Sequence, residues 1–302
     1  MLYQGKSKIL VKRAGAFGDV VSITPIMRRL RKEHPDAVIH VETHYPEIFV
    51  GNEDVNAAFP IPSSETYSKV FDLNGSYERR QRAVHGIDCY MEDVFGDTGG
   101  DKSLKVCRQP LPPQVGTEFL ENCVTIHPAT SWQNRTMPTA FWQGVADHLK
   151  EAGFAVATVG TARDQQLQGV VDLRGFLTCH QQAEVCHRSR CFIGSDCGGL
   201  FLAGATDVPI VALFTTSPES MNIIWRRGEP NWRLKPIVPD LPCVGCTTRF
   251  AQKAWPEILT YHGCERDDFA CVYWFKSDEI ARYAIDLAHN SGHLTISSAN
   301  LP

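Results

Sequence analysis

The sequence lacks any uninterrupted apolar run of the roughly 18 or more residues that a membrane-spanning helix needs. Its start, MLYQGKSKILVKR, is broken by charge and glycine before a secretory signal can form, so the expectation is a cytoplasmic protein with no transmembrane segment. Short repeats and low-complexity tracts are also missing, which excludes solenoids. Charge of one sign is scarce. With 21% charged residues and a formal net charge of −4, no global field steers the chain to nucleic acid or an anionic membrane. The first glycine loop, Gly15-Ala-Phe-Gly18, lacks the G-x-G-x-x-G order, which disfavours a nicotinamide enzyme.

Cysteine is not scarce. Eleven thiols, an odd count scattered through core-like segments, point to reduced cysteines rather than a disulfide framework. The length of 302 residues suffices for two domains, each with its own core.

The stretch ILVKRAGAFGDVVSITP, residues 9–25, reads as strand, tight loop and helix. Gly15 and Gly18 let the backbone turn sharply and bring a ligand close to the main chain. Asp19 stands at the expected helix start, where it is either an N-cap or a general base beside a substrate. The basic cluster Arg28, Arg29, Arg31 and Lys32 reads as a solvated helix face. Strands are expected at 37–43, 57–61 and 70–74. Helical segments should follow around Arg79, Arg80 and Arg82 and at 90–95, closed by the turn-forming run 96–100.

Three prolines in QPLPPQVG, residues 109–116, mark an extended connector. The division that follows is a Rossmann-like domain at 1–108, a linker at 109–117, and a second Rossmann-like domain at 118–302. Beyond the connector a second α/β pattern places strands at 123–127, 154–159, 170–173, 191–194 and 209–214. Helices fall at 138–151, 181–187, 199–205 and 278–288. Two Rossmann-like halves facing a central cleft is the expected fold class, α/β.

Ligands in such sheets bind beyond the carboxyl ends of the strands. After Ile126 comes HPATSWQNRTMP, in which Thr130, Ser131 and Arg135 suit phosphate oxygens. After Gly194 comes Ser195-Asp-Cys-Gly-Gly199, a glycine-rich start to the next helix suited to a diphosphate. Asp164 is either a partner for ribose hydroxyls or a solvated loop acid.

Three motifs make the chain resemble the heptosyltransferases, family 9 of the glycosyltransferases, whose fold is called GT-B. The opening ILVKRAGAFGDVVSITPIMRRLRKEHPDAVIHV is similar to that family's first strand, loop and helix, with Asp19 at the position of its catalytic base. GSDCGGLFLAGATDVPIVALFTTSPE is similar to its donor signature, with Asp196, Gly198 and Gly199 in place, and LPCVGC followed by CERDDFAC to its late cysteine motif.

The resemblance implies an inverting sugar transfer from a nucleotide diphosphate sugar, ADP-heptose or another, with no catalytic metal. Asp19 would take the proton of an acceptor hydroxyl while the second domain binds the departing diphosphate. Arg135 stands where family members commonly carry a Lys, and Phe201 where the signature usually has a His. The region 55–100 is short for the family. A glycan acceptor is therefore weighed against a protein or a modified DNA base, with the arginines at 79, 80, 82, 226, 227 and 233 then forming a phosphate-tracking surface. A non-catalytic nucleotide-sugar-binding module is the alternative of another class.

Four late thiols, Cys243-x2-Cys246 and Cys264-x6-Cys271, sit among loop residues. They read either as a tetrahedral site for a structural zinc or iron, or as reduced or disulfide-capable residues packed under the insertion at 247–262.

Overall fold

The computed structural model describes residues 6–60, 65–80, 84–246, 263–264 and 266–290. The expected strand end at Ile61, Arg82 and the insertion at 247–262 lie outside them. The chain begins with β1 (Lys8–Lys12), whose Ile-Leu-Val centre is buried on both faces. That is why an unbroken apolar run, rather than an alternating one, forms this strand. Helices α1 (Phe17–Val21) and α2 (Thr24–Glu33) follow, then β2 (Val38–Glu42), β3 (Ala57–Phe59), β4 (Lys69–Asp72) and α3 (Gly86–Phe95). Gly96, in the left-handed conformation at φ 78°, closes α3. The four strands form one all-parallel sheet in the order β3-β2-β1-β4.

The second sheet starts at β5 (Cys123–His127) and continues through α4 (Thr139–Glu151), β6 (Ala155–Thr158), β7 (Val171–Asp172) and α5 (Cys179–Arg188). Next come β8 (Cys191–Ser195), α6 (Gly198–Gly204) and β9 (Ile210–Leu213). A small hairpin of β10 (Trp225–Arg226) and β11 (Glu229–Pro230) leads to β12 (Leu234–Ile237). The six-stranded order β12-β9-β8-β5-β6-β7 is parallel throughout. Two helices end the described chain, α7 (Ala270–Tyr273) and α8 (Ser277–Asn290). The hairpin and β12 were not anticipated, because Trp225 to Ile237 carries charge and proline in place of a β-branched run. Among the described residues no helix is long and apolar enough to cross a membrane.

Alternation along the strands divides the packing. Val124, Ile126, Ile193 and Val211 face a cluster with Trp142, Leu149 and Ala284 of α4 and α8. Phe192, Ile210 and Ala212 face another that continues through α5 and α6 to Val20, Ile26, Ile9 and Ile39 of the first sheet. Each fully buried aliphatic side chain contributes roughly 1.5–3 kcal/mol against the chain's lost entropy. Helix α1 packs on α6, so the two sheets are tied together through these short helices. In both sheets the strand order reverses at the strand preceding a glycine-rich or polar loop, β1 in the first and β5 in the second. Loops at such switch points have strands diverging on either side and leave a crevice.

Candidate active site

The first loop begins one residue after β1 with Arg13, which is only 2% exposed. Its Nη1 donates to the Leu73 carbonyl at 3.1 Å, and Nη2 reaches both Asp19 Oδ2 at 2.7 Å and Glu78 Oε1 at 2.8 Å. Asp19 does not stand at the helix start as expected; it is the third residue of α1, and Ala16 is the N-cap. Its carboxylate reaches back to accept the Ala16 backbone N–H at 3.1 Å, so part of the capping role is real. The Tyr77 hydroxyl donates to the other oxygen, Oδ1, at 3.0 Å. Three donors, two from the first loop and one from the segment after β4, therefore fix an acid whose side chain is still 23% exposed.

Burial, then the charges of Asp19 and Glu78, push the Tyr77 phenol well above its ordinary value, so it stays a donor. Burial also pushes the Glu78 carboxyl up, with Arg13 opposing. Gly15 takes φ +26°, and a Cβ there would come within 2.8 Å of Arg13 Nε and 3.0 Å of Asp19 Oδ2. A side chain at this position would displace the pair.

In the second sheet Arg135 lies over the Trp132 ring at 4.2 Å and pairs with Asp196 Oδ2 at 3.0 Å. Its Nε donates to Thr216 Oγ1 at 3.1 Å and its Nη2 to Ser217 Oγ at 2.7 Å. Asp196 is 4% exposed, and Asn222 Nδ2 donates to both its oxygens at 3.0 Å. The acid thus holds the arginine and is itself held. Thr130 Oγ1 accepts the Trp132 N–H at 3.1 Å and lies 3.0 Å from the Thr136 hydroxyl, which folds the loop on itself, while Ser131 is exposed. Asp164 accepts the Thr161 N–H at 2.7 Å and its hydroxyl at 2.8 Å, and lies 3.8 Å from His127 Nε2.

The two glycine loops meet. A Cβ on Gly18 would come within 2.8 Å of the Phe201 ring, and one on Gly198 within 2.9 Å of the Phe17 ring. The bare Cα of Gly199 makes room for His127, whose ring such a Cβ would approach to 2.8 Å. Gly18 and Gly198 admit side chains across the junction, a use that spacing alone did not reveal. Phe201, standing where a polar residue was expected from the resemblance, packs its ring edge on α1.

Cys243, Cys246, Cys264 and Cys271 line one pocket with Asn134, Thr215, Thr216 and Phe269. Burial first, then the charges of Cys246, Cys243 and Cys264, push the Cys271 thiol up to about 12. Among the described residues no group of three or more His, Cys, Asp or Glu side chains is drawn together as a ligand set. Three of the arginines weighed as a phosphate-tracking surface are engaged elsewhere, and Arg82 lies outside the described residues. Arg226 is 3% exposed and donates to the Thr206, Val208 and Trp232 carbonyls at 2.9, 2.6 and 2.6 Å. Arg227 pairs with Asp207 at 2.6 Å, and Arg80 with Glu92 and Asp93. The helix cluster of Arg28, Arg29 and Arg31 is likewise tied to Asp101, Asp97 and the carbonyls of Pro35 and Ala37.

Sequence reasoning missed Arg13, Tyr77 and Glu78, as well as the contact of His127 with Cys197. Arg13 alone left a signal, a cation just beyond a strand with an apolar centre and six residues before an acid.

Residues 83–235 match the profile of glycosyltransferase family 9 (heptosyltransferase). Lipopolysaccharide heptosyltransferase 1 of Pseudomonas aeruginosa PAO1 is 25% identical over 175 residues, 55% of this chain and 45% of that protein. The chain therefore spans about half the length of that curated relative. The crystal structure of a family 9 glycosyltransferase from Veillonella parvula superposes with a TM-score of 0.71 at 13% identity, covering 94% of this chain and 98% of that one. The dodecameric iron-containing heptosyltransferase TibC of enterotoxigenic E. coli, in complex with ADP-D-β-D-heptose, gives 0.70 at 17% identity, covering 95% and 78%. At these identities the likeness speaks for a shared fold, and that fold is GT-B.

Proposed function

Since the chain belongs to glycosyltransferase family 9, the heptosyltransferases, we propose that it moves a sugar from a nucleotide diphosphate sugar to an acceptor hydroxyl with inversion at the anomeric carbon. The donor is ADP-heptose or a close analogue, a choice supported by the ADP-heptose held by TibC. Asp19 takes the acceptor proton as the acceptor oxygen attacks the anomeric carbon and the bond to the diphosphate breaks. General-base help of this kind is worth about a hundredfold to ten-thousandfold. Arg13 and Tyr77 are positioning residues that aim the carboxylate, and Arg135 stabilises the leaving diphosphate while Asp196 and Asn222 orient its guanidinium. Gly15 and Gly18 shape the loop around Asp19. Thr130, Ser131, Gly198, Gly199 and Asp164 contribute the surrounding donor surface, and residues 1–108 and 118–302 form the acceptor and donor lobes.

One observation carries this reading. The acid held by Arg13, Tyr77 and the Ala16 amide stands next to Gly18, where the first lobe touches the Asp196-to-Phe201 segment. That closeness supports reading Asp19 as the proton acceptor and the second segment as the diphosphate cradle.

The described cysteines are not drawn together as a ligand set, yet the four that line one pocket have the donor chemistry for a thiophilic ion, zinc or iron. With four protein ligands such an ion would be structural. The chemistry proposed above runs without it. The acceptor is a glycan or another hydroxyl-bearing molecule; the pairing of Arg80, Arg226 and Arg227 speaks against nucleic acid.

Thermal shift against a panel of nucleotide sugars tests the reading. ADP-heptose or a relative should raise the midpoint and be slowly hydrolysed; a panel without any stabilising member would remove the proposal.

A further inference from the structure

His127 closes β5, and the proposed chemistry does not use its ring. Nδ1 lies 3.2 Å from Cys197 Sγ, and Nε2 lies 3.8 Å from Asp164 Oδ2. The three side chains come from the loops or ends of three adjacent strands, β8, β5 and β6. Backbone is shaped around the imidazole from two sides: a Cβ on Gly199 would come within 2.8 Å of the ring and one on Gly160 within 3.0 Å of Nε2. Both His127 and Cys197 remain partly exposed.

This thiol differs from five others in the chain. Burial pushes Cys89, Cys123, Cys186 and Cys191 up to about 12 and Cys179 to about 11. At Cys197 burial acts the same way, but the charge and hydrogen bond of His127 outweigh it and the pKa falls below that of an ordinary thiol. Burial opposes the charge on His127 too, yet Cys197 and then Asp164 bring it up to about 9. A thiolate paired with an imidazolium is the chemistry of a reactive cysteine, because the thiolate is the nucleophile.

We infer that Cys197 is a modification site, a thiol made nucleophilic by His127 and Asp164 that exchanges with low-molecular-weight disulfides. In the step, Cys197 Sγ attacks one sulfur of the small disulfide, its S–S bond breaks, and a new S–S bond joins Cys197 to one half. The other half leaves as a thiolate and takes a proton from solvent. Cys197 is oxidised and the small disulfide reduced. The adduct would stand between Asp196, which holds Arg135, and Gly198, which faces Phe17. On the donor reading given above, it shuts the diphosphate cradle until a thiol removes it.

The test is incubation of the full chain with oxidised glutathione at about pH 6.5 and about pH 8.5, with each cysteine read by peptide mass mapping. One glutathione should appear on Cys197, with a smaller rise in rate from the lower to the higher pH than an ordinary thiol shows. His127→Gln should slow the reaction at the lower pH at least about tenfold, with Asp164→Asn as a milder second variant. A Cys197 that stays unmodified, or whose rate follows an ordinary thiol and ignores both substitutions, would overturn the inference. In the second arm, ADP-induced thermal shift should vanish on glutathionylation and return with dithiothreitol. A shift unchanged by the adduct overturns the gating. If untreated protein shows no ADP shift, the donor reading falls, and the mass map still decides the thiol.

Discussion

Arg13 Nη2 lies 2.7 Å from Asp19 Oδ2 and 2.8 Å from Glu78 Oε1, so one buried guanidinium bridges two acids contributed by different segments of the first lobe. Tyr77 and Tyr90 stand near the same guanidinium, with ring centroids 5.3 and 5.4 Å from its Cζ. Removing the cation leaves two half-buried carboxylates facing each other. Arg13→Ala should therefore destabilise the fold by about 3–5 kcal/mol, the usual consequence of breaking a buried pair. Arg13→Lys keeps the charge but not the fork, and should recover most stability while kcat stays low and KM for the donor is unaltered. Denaturant unfolding and steady-state kinetics on the two variants separate the roles.

The second expectation concerns Gly18. A methyl there would lie 2.8 Å from Phe201 Cδ2, closer than packing allows. Gly18→Ala should lower stability by about 1–3 kcal/mol, and Phe201→Ala in the same chain should remove most of that added loss. A double-mutant cycle by thermal unfolding measures the coupling. Additive effects would mean that the ring yields freely.

Arg135 is expected to matter for nucleotide binding. Arg135→Ala removes charge-assisted hydrogen bonds worth about 1.5–3 kcal/mol each, so ADP affinity should fall by at least about tenfold. Arg135→Lys should lose less, because it retains a point charge on the diphosphate. Calorimetric titration with ADP checks both.

The cysteine pocket gives a fourth expectation. Purified protein should contain about one zinc or iron per chain, and Cys243→Ser should lower that content and the unfolding midpoint together. Elemental analysis before and after chelation reads it directly. A full chain without bound metal, and with an unchanged midpoint in the variant, would return these thiols to simple packing.

The regular elements were legible where period and punctuation agreed. The apolar centre of β1, the amphipathic α4 and the glycine that stops α3 all follow from local rules. β12 was not legible, since Lys235 and Pro236 disguise an edge strand held by pairing with β9. At the candidate site, Asp19 and Arg135 could be singled out from their loops. Their partners could not, because Tyr77 lies 58 positions from Asp19 and Ser217 lies 82 from Arg135. The glycines were identified for their flexibility, yet Gly18 and Gly198 make room for Phe201 and Phe17, which depends on how the two lobes meet, and Gly199 makes room for His127 of its own lobe.

The measurement closest to the central claim is nucleotide release from the stabilising nucleotide sugar by Asp19→Asn, with donor affinity measured on the same sample. The substitution keeps the shape of the side chain and its contacts with Arg13 and Tyr77 in reach. Release should fall by about a hundredfold to ten-thousandfold while the donor Kd is unchanged. An Asp19→Asn protein that releases nucleotide at the parent rate would contradict the account.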